Sequence, residues 1–531
     1  MPSPSPSQLD VKIINGRIID GTGAPFFRGD LGIKGDTIAA IGNLEQQSAA
    51  ITIDARDQVI APGFIDLLGQ SQNSVLIDPR LEGKVRQGVT TEVTGEGHSP
   101  GPISEKAVAD RLRADPTDVA RWKTLGEYMK VVETGGSAIN FAFFVGASNP
   151  RSMVIGSVDR QATEIELQQM EQIVDQAMRE GAIGLSTSLI YIPAVFSSTE
   201  EIVRLAKVAE RHGGVYFTHI RDEGDHIDSA LEEAFRIGRE ATIPVNIWHL
   251  KVGKKQNWGR MPAVISQIQA ARDSGLDVAA NVYPYIASST SLSVLAPNWA
   301  LEGGYGAFLQ RLQRPEERAR IEVDLQKQVD SRGERGIFVS RVSAPELEIY
   351  EKKFLEEIAS MMGTTPVEAL LRLFSGHTAS PGAIYFSMSE ADVQYALRQP
   401  WISVGADSGA VVGEGKNAGA HPRAYGTFPR VAGHYVRNEK LFSLEEAIRK
   451  MTSQAAARVN ILDRGILRPG MKADVIVFDP ARLQDVSKYE DPHHFSVGIS
   501  DVLVNGVPIL RSDTMTGALP GKVLRGGAYK R

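Results

Sequence analysis

The middle of this 531-residue chain repeats one unit: a short apolar run that ends in polar residues, followed by a segment of helical period. GVTTEVTGEG, INFAFFVGAS, AIGLSTSLIY, VYFTHIRDEG, VNIWHLKVG, VAANVYPYIASS and ISVGADSGA are the strand-like members. Stretches between them, such as TEIELQQMEQIVDQAMREG and TEEIVRLAKVAERHG, are amphipathic and end at glycine, as helix C-termini commonly do. Strand and helix alternating this often predict a parallel sheet, and at this length a closed (β/α)₈ TIM barrel is the commonest solution, an α/β fold. The rhythm breaks from about Ser291 to Gly336, where Arg/Glu/Gln-rich helical text predicts an inserted subdomain or lid.

Both ends read differently. From Val11 to about Pro62, β-branched runs alternate with Asn-Gly, Asp-Gly and Gly-Asp turns. ADVIVFDP and DVLVNGVPIL do the same near the C-terminus, and LPGKVLRGG resembles a trailing strand. Strand-rich ends around a long α/β middle predict one small β-sandwich assembled from both termini. The expected division is 1–62 plus 465–531 for the sandwich, 63–464 for the barrel and 291–336 for the insert.

Composition removes several alternatives. With 42% apolar and 23% charged residues the chain has the material for a large core, and a net charge of -6 offers no basic stripe for nucleic acid or an anionic membrane. A small molecule is the expected partner, and the sequence sets no oligomeric state. Zero cysteines exclude thiolate nucleophiles and cysteine-based zinc sites, so any metal must be held by histidines and carboxylates. No window approaches the ~20 apolar residues that span a bilayer. The opening MPSPSPSQLD lacks the basic start and apolar run of an export signal, which leaves a cytoplasmic protein, or a periplasmic one whose signal has been removed.

In a (β/α)₈ barrel the reactive groups stand where strands end, so the polar residues closing each run are the candidates. His219 ends VYFTH and His249 ends VNIWH, one βα unit apart. A single strand-end histidine is more often a hydrogen-bonded structural group, but two aimed into one mouth can share a divalent ion. Asp407, in ISVGADSG, can take a proton from metal-bound water, or serve only as a turn or helix cap. Glu96 ends an earlier strand and competes with His98 for the place of a third ligand. Lys251, Tyr283 and Arg423 lie on the loops of the same rim. An ammonium, a phenol and a guanidinium together would bind a carboxylate, although any one of them alone is more often part of a surface ion pair or the core.

NGRIIDGTG, APGFID, QGVTTEVTG, GAIGLSTSLIYIP, FTHIRDE, WHLKVGKKQNWG, VYPYIASST, MSEADV, SVGADSG, HPRAYGTFPRV, MTSQAAARV, DRGILRPGMKADVIVFDP and GKVLRGG, in this order, resemble the amidohydrolase superfamily. Within it they resemble the N-acyl-D-amino-acid deacylase (D-aminoacylase) family, over nearly the whole chain. The resemblance implies a barrel flanked by a β-sandwich and zinc bound through His219 and His249. It also implies a catalytic Asp407 that counts among the metal-binding residues, and a substrate-carboxylate group of Lys251, Tyr283 and Arg423. Three departures bear on the metal. Where the family has an HxH pair after GFID, this chain has Leu68 and Gln70. Gly97 aligns with the family's metal-ligand cysteine, with Glu96 beside it, and Ala147 stands in place of a histidine after VG. The expectation is therefore one ion held by His219, His249 and Glu96, with zinc favoured and manganese, cobalt or nickel fitting the same ligands.

The expected chemistry is hydrolysis of the amide of an N-acyl amino acid, with the D form implied by the resemblance. A short peptide or a cyclic amide is the nearest alternative substrate. An esterase or lactonase, or a non-catalytic binding protein, would be a different reading of the same chain.

Overall fold

A computed structural model describes residues 8–114, 121–333, 335–376, 379–412 and 420–530. Most of the opening segment that bears on export lies outside them. The barrel strands are Phe64–Gly69, Val89–Thr94, Asn140–Phe143 continued by Val145–Gly146, Gly184–Ser188, Val215–His219, Val245–Ile247, Val278–Val282 and Ile402–Val404. All pair in parallel with their neighbours. The eighth strand meets the first through a parallel bridge between Gly69 and Ser408, which closes the ring. These strands are buried along their whole length, since helices cover the outer face of a parallel barrel and side chains fill its inside.

The covering helices follow the local signals. Glu164–Glu180 starts with a capping box between Thr163 and Glu166 and stops at Gly181, whose φ of +117° a residue with a Cβ would resist. Thr199–Arg211 turns Ile202, Leu205, Ala206 and Ala209 onto the barrel side. Among the described residues no helix is long and apolar enough to cross a membrane.

Strands from both termini share one nine-stranded sheet. Leu9–Ile18 pairs with Phe27–Lys34, Ala49–Asp54 and Val59–Pro62, and Val59–Pro62 joins Val475–Phe478 antiparallel, so the two ends of the chain meet there. Val11, Ile13, Leu31, Ile33, Ile53, Val475 and Leu503 form its core. The trailing strand behaves otherwise: Val523–Leu524 leaves this sheet and pairs in parallel with Phe141 and Ala142 of the third barrel strand.

The insert is larger than the span from Ser291 to Gly336. Ser288–Ser291, Ile337–Arg341, Lys353–Phe354 and Gly382–Tyr385 form an antiparallel sheet of their own. With helices such as Pro315–Arg332 and Pro366–Ser375 they enclose a separate core that includes Leu292, Phe308, Leu325, Ile337, Phe374 and Tyr385. The charged helix is conspicuous in sequence, whereas IFVSR and AIYFS are apolar runs that could equally continue a barrel.

Candidate metal centre

Every predicted site residue lies at the C-terminal rim of the barrel. His219 is the last residue of the fifth strand, and Glu96, His249, Tyr283 and Asp407 follow the second, sixth, seventh and eighth strands by one to three residues. The chain turns inward at Glu96 because Gly97 has a φ of +62° and a Cβ there would stand 2.6 Å from Ser188. His249 and Asp407 themselves have φ of +34° and +51°, a conformation that residues with a Cβ adopt at a cost. The His249 amide is tied to Asn281 Oδ1 at 2.7 Å and the Asp407 amide to the Leu68 carbonyl at 2.8 Å.

One oxygen organises the centre. Glu96 Oε1 lies 2.9 Å from His219 Nδ1 and 3.0 Å from His249 Nε2, with the two rings edge to face and their centroids 4.3 Å apart. Glu96, His219 and His249 each offer a ligand atom within 4.8 Å of the others, whereas His98 and Asp407, also expected near the metal, line the adjoining cavity outside this group. Two imidazole nitrogens and a carboxylate oxygen are a donor set used by catalytic zinc sites, which keep a further position open for water or substrate. His219 Nε2 is buried and makes no hydrogen bond. The residues present therefore fit a divalent cation.

Gln70 connects this cluster to Asp407. Its side-chain amide donates to Glu96 Oε2 and to Asp407 Oδ1, both at 3.0 Å. Leu68 instead joins an apolar core with Val93, Phe144 and Trp248, and Ala147 precedes the helix Ser148–Val154. Arg423 Nη1 stands 2.7 Å from Asp407 Oδ2, and Arg423 Nη2 donates to the Ser289 carbonyl at 3.1 Å. Tyr283 lies between two cations, with Lys251 Nζ 5.6 Å and the Arg423 guanidinium 4.8 Å from its ring centroid. Its buried hydroxyl has no hydrogen-bond partner.

Glu223 was not visible as a site residue. It pairs with Lys251 and lies 3.0 Å from His249 Nδ1 and 3.6 Å from His219 Nε2, which sets a second carboxylate against both rings from outside the cluster. The available signal was its place in FTHIRDEG, four residues beyond His219 on a polar loop. Lys251 Nζ also lies 2.6 Å from His249 Nδ1.

Burial and charge set the protonation states. Burial pushes the Glu96 carboxyl up, but hydrogen bonds from His219 and His249 outweigh it and hold the group well below the usual carboxylate range. Glu223 is also kept ionised, with burial outweighed by Lys251 and the two histidines. His249 is raised to about 9: burial and Lys251 oppose its charged form, and Glu223 and Asp407 favour it more strongly. Asp407 moves the other way from Glu96, since burial raises it against the pull of Arg423 and His249. Two nearby carboxyls driven apart in this way can play different roles.

The centre forms the floor of a cavity of about 690 Å³, lined by Gln70, Glu96, His219, Glu223, Lys251 and Asp407. Its outer wall comes from the insert, through Val294, Pro297, Gln328, Arg332 and Tyr385. Tyr283 and Arg423 are outside this lining.

A profile described as the amidohydrolase family matches residues 389–510. The chain is 38% identical over 527 residues to the D-aminoacylase of Alcaligenes xylosoxydans xylosoxydans, covering 98% of this chain and 99% of that protein. A D-aminoacylase structure described by its binuclear metal center, with one-metal activation and second-metal attenuation, superposes with a TM-score of 0.82 at 36% identity, over 97% of this chain and 100% of that one. The N-acyl-D-glutamate deacylase of Bordetella bronchiseptica, solved with zinc and a phosphonate mimic of the tetrahedral intermediate, superposes with a TM-score of 0.82 at 34% identity, over 98% and 100%. A fold with this centre at its rim, matched end to end at this identity, places the protein in the D-aminoacylase (N-acyl-D-amino-acid deacylase) family of the amidohydrolases.

Proposed function

We propose that the protein hydrolyses the amide bond of N-acyl-D-amino acids with one cation held by Glu96, His219 and His249. The observation that carries this reading is the convergence of those three groups on one point beside Asp407, on the floor of a cavity large enough for such a substrate. Zinc suits the ligands best, and manganese, cobalt or nickel would accept them. The single-ion reading is supported by Leu68, which lies in the core, and by Gln70, which turns amide hydrogens rather than a lone pair toward both carboxylates.

When bound, the cation supplies Lewis acidity, lowering the pKa of a water and polarising the amide carbonyl. The remaining work belongs to the side chains. Asp407 accepts the proton of the attacking water and passes it to the departing amine, which requires it to be ionised at the start and protonated in between. Burial raises its basicity and Arg423 opposes its protonation, the two influences this role needs. Gln70 engages Oδ1 and Arg423 engages Oδ2, so the carboxylate cannot rotate away. Lys251, Tyr283 and Arg423 are the group assigned to the substrate carboxylate, with Lys251 on the cavity wall and Tyr283 and Arg423 immediately behind it. The ring of Tyr283 between two cations and its unpartnered hydroxyl support that role.

The chemistry belongs to the barrel (63–464), with the sandwich of 1–62 plus 465–531 as support and the insert, extended to Tyr385, as the cavity's outer wall. An Asp407→Asn protein should retain its metal and lose about 10⁴-fold in kcat on N-acetyl-D-amino acids, with the L enantiomers poor substrates throughout. Turnover near that of the parent in Asp407→Asn, or a preference for L substrates, would overturn the corresponding part of this reading.

A further inference from the structure

Beneath the rim lies a group of charges that no step above uses. Lys84, Asp66 and Glu92 have completely buried side chains, and Lys84 Nζ stands 2.6 Å from Asp66 Oδ2 and 3.3 Å from Glu92 Oε2. Buried ions of this kind rarely stabilise a fold better than apolar residues of the same volume, because desolvation consumes most of the attraction. Their presence asks for another reason.

Each arm of the group ends on the turn that carries Asp407. Lys84 Nζ donates to the Ser408 carbonyl at 2.7 Å. Asp66 Oδ1 accepts the Ala406 amide at 2.8 Å and the Leu68 amide at 3.0 Å. Glu92 takes the amide and the hydroxyl of Ser71, each at 2.7 Å, and Ser71 Oγ accepts the Ala410 amide at 2.8 Å. The turn is thus held at 406, 408 and 410, on either side of Asp407 with its φ of +51°. Room for Glu92 is made by Gly69, where a Cβ would lie 1.9 Å from Glu92 Cγ.

We propose that Lys84, with Asp66 and Glu92, is a positioning device for Asp407: the buried charges clamp the 406–410 turn in its left-handed form and so set where the carboxylate stands relative to Glu96 and the two histidines. This rests on the reading of Asp407 as the proton carrier. Lys84 is sealed from the cavity, so its influence must travel through the Ser408 carbonyl. A role confined to holding the barrel together would lower thermal stability without changing kcat per folded, metal-loaded molecule.

The test replaces the cation and one anion together, as Lys84→Met with Glu92→Gln, and leaves Asp66 its two backbone donors. The full-length, metal-loaded protein is assayed beside the parent, Asp407→Asn, and Arg151→Met with Glu201→Gln, which removes a buried ion pair elsewhere. The Lys84 variant should keep the parent's metal stoichiometry and a KM within about threefold while kcat falls by about a hundredfold. The Arg151 variant should lose thermal stability alone. The proposal is overturned if the Lys84 variant turns over within about threefold of the parent, if its activity falls only in step with metal content, or if it cannot be recovered folded. An inactive Asp407→Asn beside an active Lys84 variant sinks this inference alone, whereas an active Asp407→Asn sinks the reading of the site and this inference with it.

Discussion

Replacing Gln70 by leucine keeps a side chain of similar size and removes the amide that ties Glu96 Oε2 to Asp407 Oδ1. Each of those hydrogen bonds ends on a carboxylate, a class worth about 1.5–3 kcal/mol, so losing both without replacement would cost about 3–6 kcal/mol. Gln70 lines the cavity, and water can reach the vacated oxygens and restore roughly half of that. The remaining 1.5–3 kcal/mol or so falls on the geometry of Asp407 during proton transfer, which corresponds to a loss of about 13- to 160-fold in kcat/KM. Steady-state kinetics on an N-acetyl-D-amino acid, with metal content measured on the same sample, reads this directly. A change below about threefold, or a loss that merely follows loss of metal, would refute the argument that this amide holds the two carboxylates in register. The isosteric Gln70→Glu should behave differently. It gathers three carboxylates at one point and is expected to recruit a second cation, readable as two ions per chain.

Arg423→Met removes the cation 2.7 Å from Asp407, so the carboxyl, already raised by burial, should rise further. Because the ionised form is the base, the acid limb of kcat/KM should move to higher pH, and an unmoved or lowered limb would remove Arg423 from this role. Gly69→Ala would drive a Cβ into the Glu92 carboxylate, which cannot swing aside without leaving Lys84 and Ser71. Breaking a buried pair costs about 3–5 kcal/mol, so the denaturant midpoint should drop sharply, and a midpoint equal to the parent's would show that Glu92 is free to move.

The barrel is legible in the sequence because short, β-branched-rich runs with polar tails recur between amphipathic helices, and the tails are what the fold gathers at one rim. His219, His249 and Asp407 stand out for that reason, and Glu96 for its place between Gly95 and Gly97. Other parts of the centre carry no such contrast. Gln70 is a neutral residue, and its importance comes from facing two carboxylates that are distant in sequence. Glu223 sits on a loop, and only the folded chain turns it back onto both imidazoles. Lys84, in the short helix Glu82–Val85, reads as a solvated charge until Asp66 and Glu92 are seen beside it with no solvent between. The limits of the insert and the docking of Val523–Leu524 on the barrel depend on strand pairing, which an apolar run does not specify by itself.

The most direct test strips the purified protein of metal with a chelator and restores zinc stepwise, following bound ion by elemental analysis and turnover on an N-acetyl-D-amino acid. Activity should vanish in the stripped protein and rise in proportion to bound zinc up to one ion per chain, with Glu96→Ala unable to regain it. Full activity without metal, or a rise that continues to two ions per chain, would contradict the single centre built from Glu96, His219 and His249.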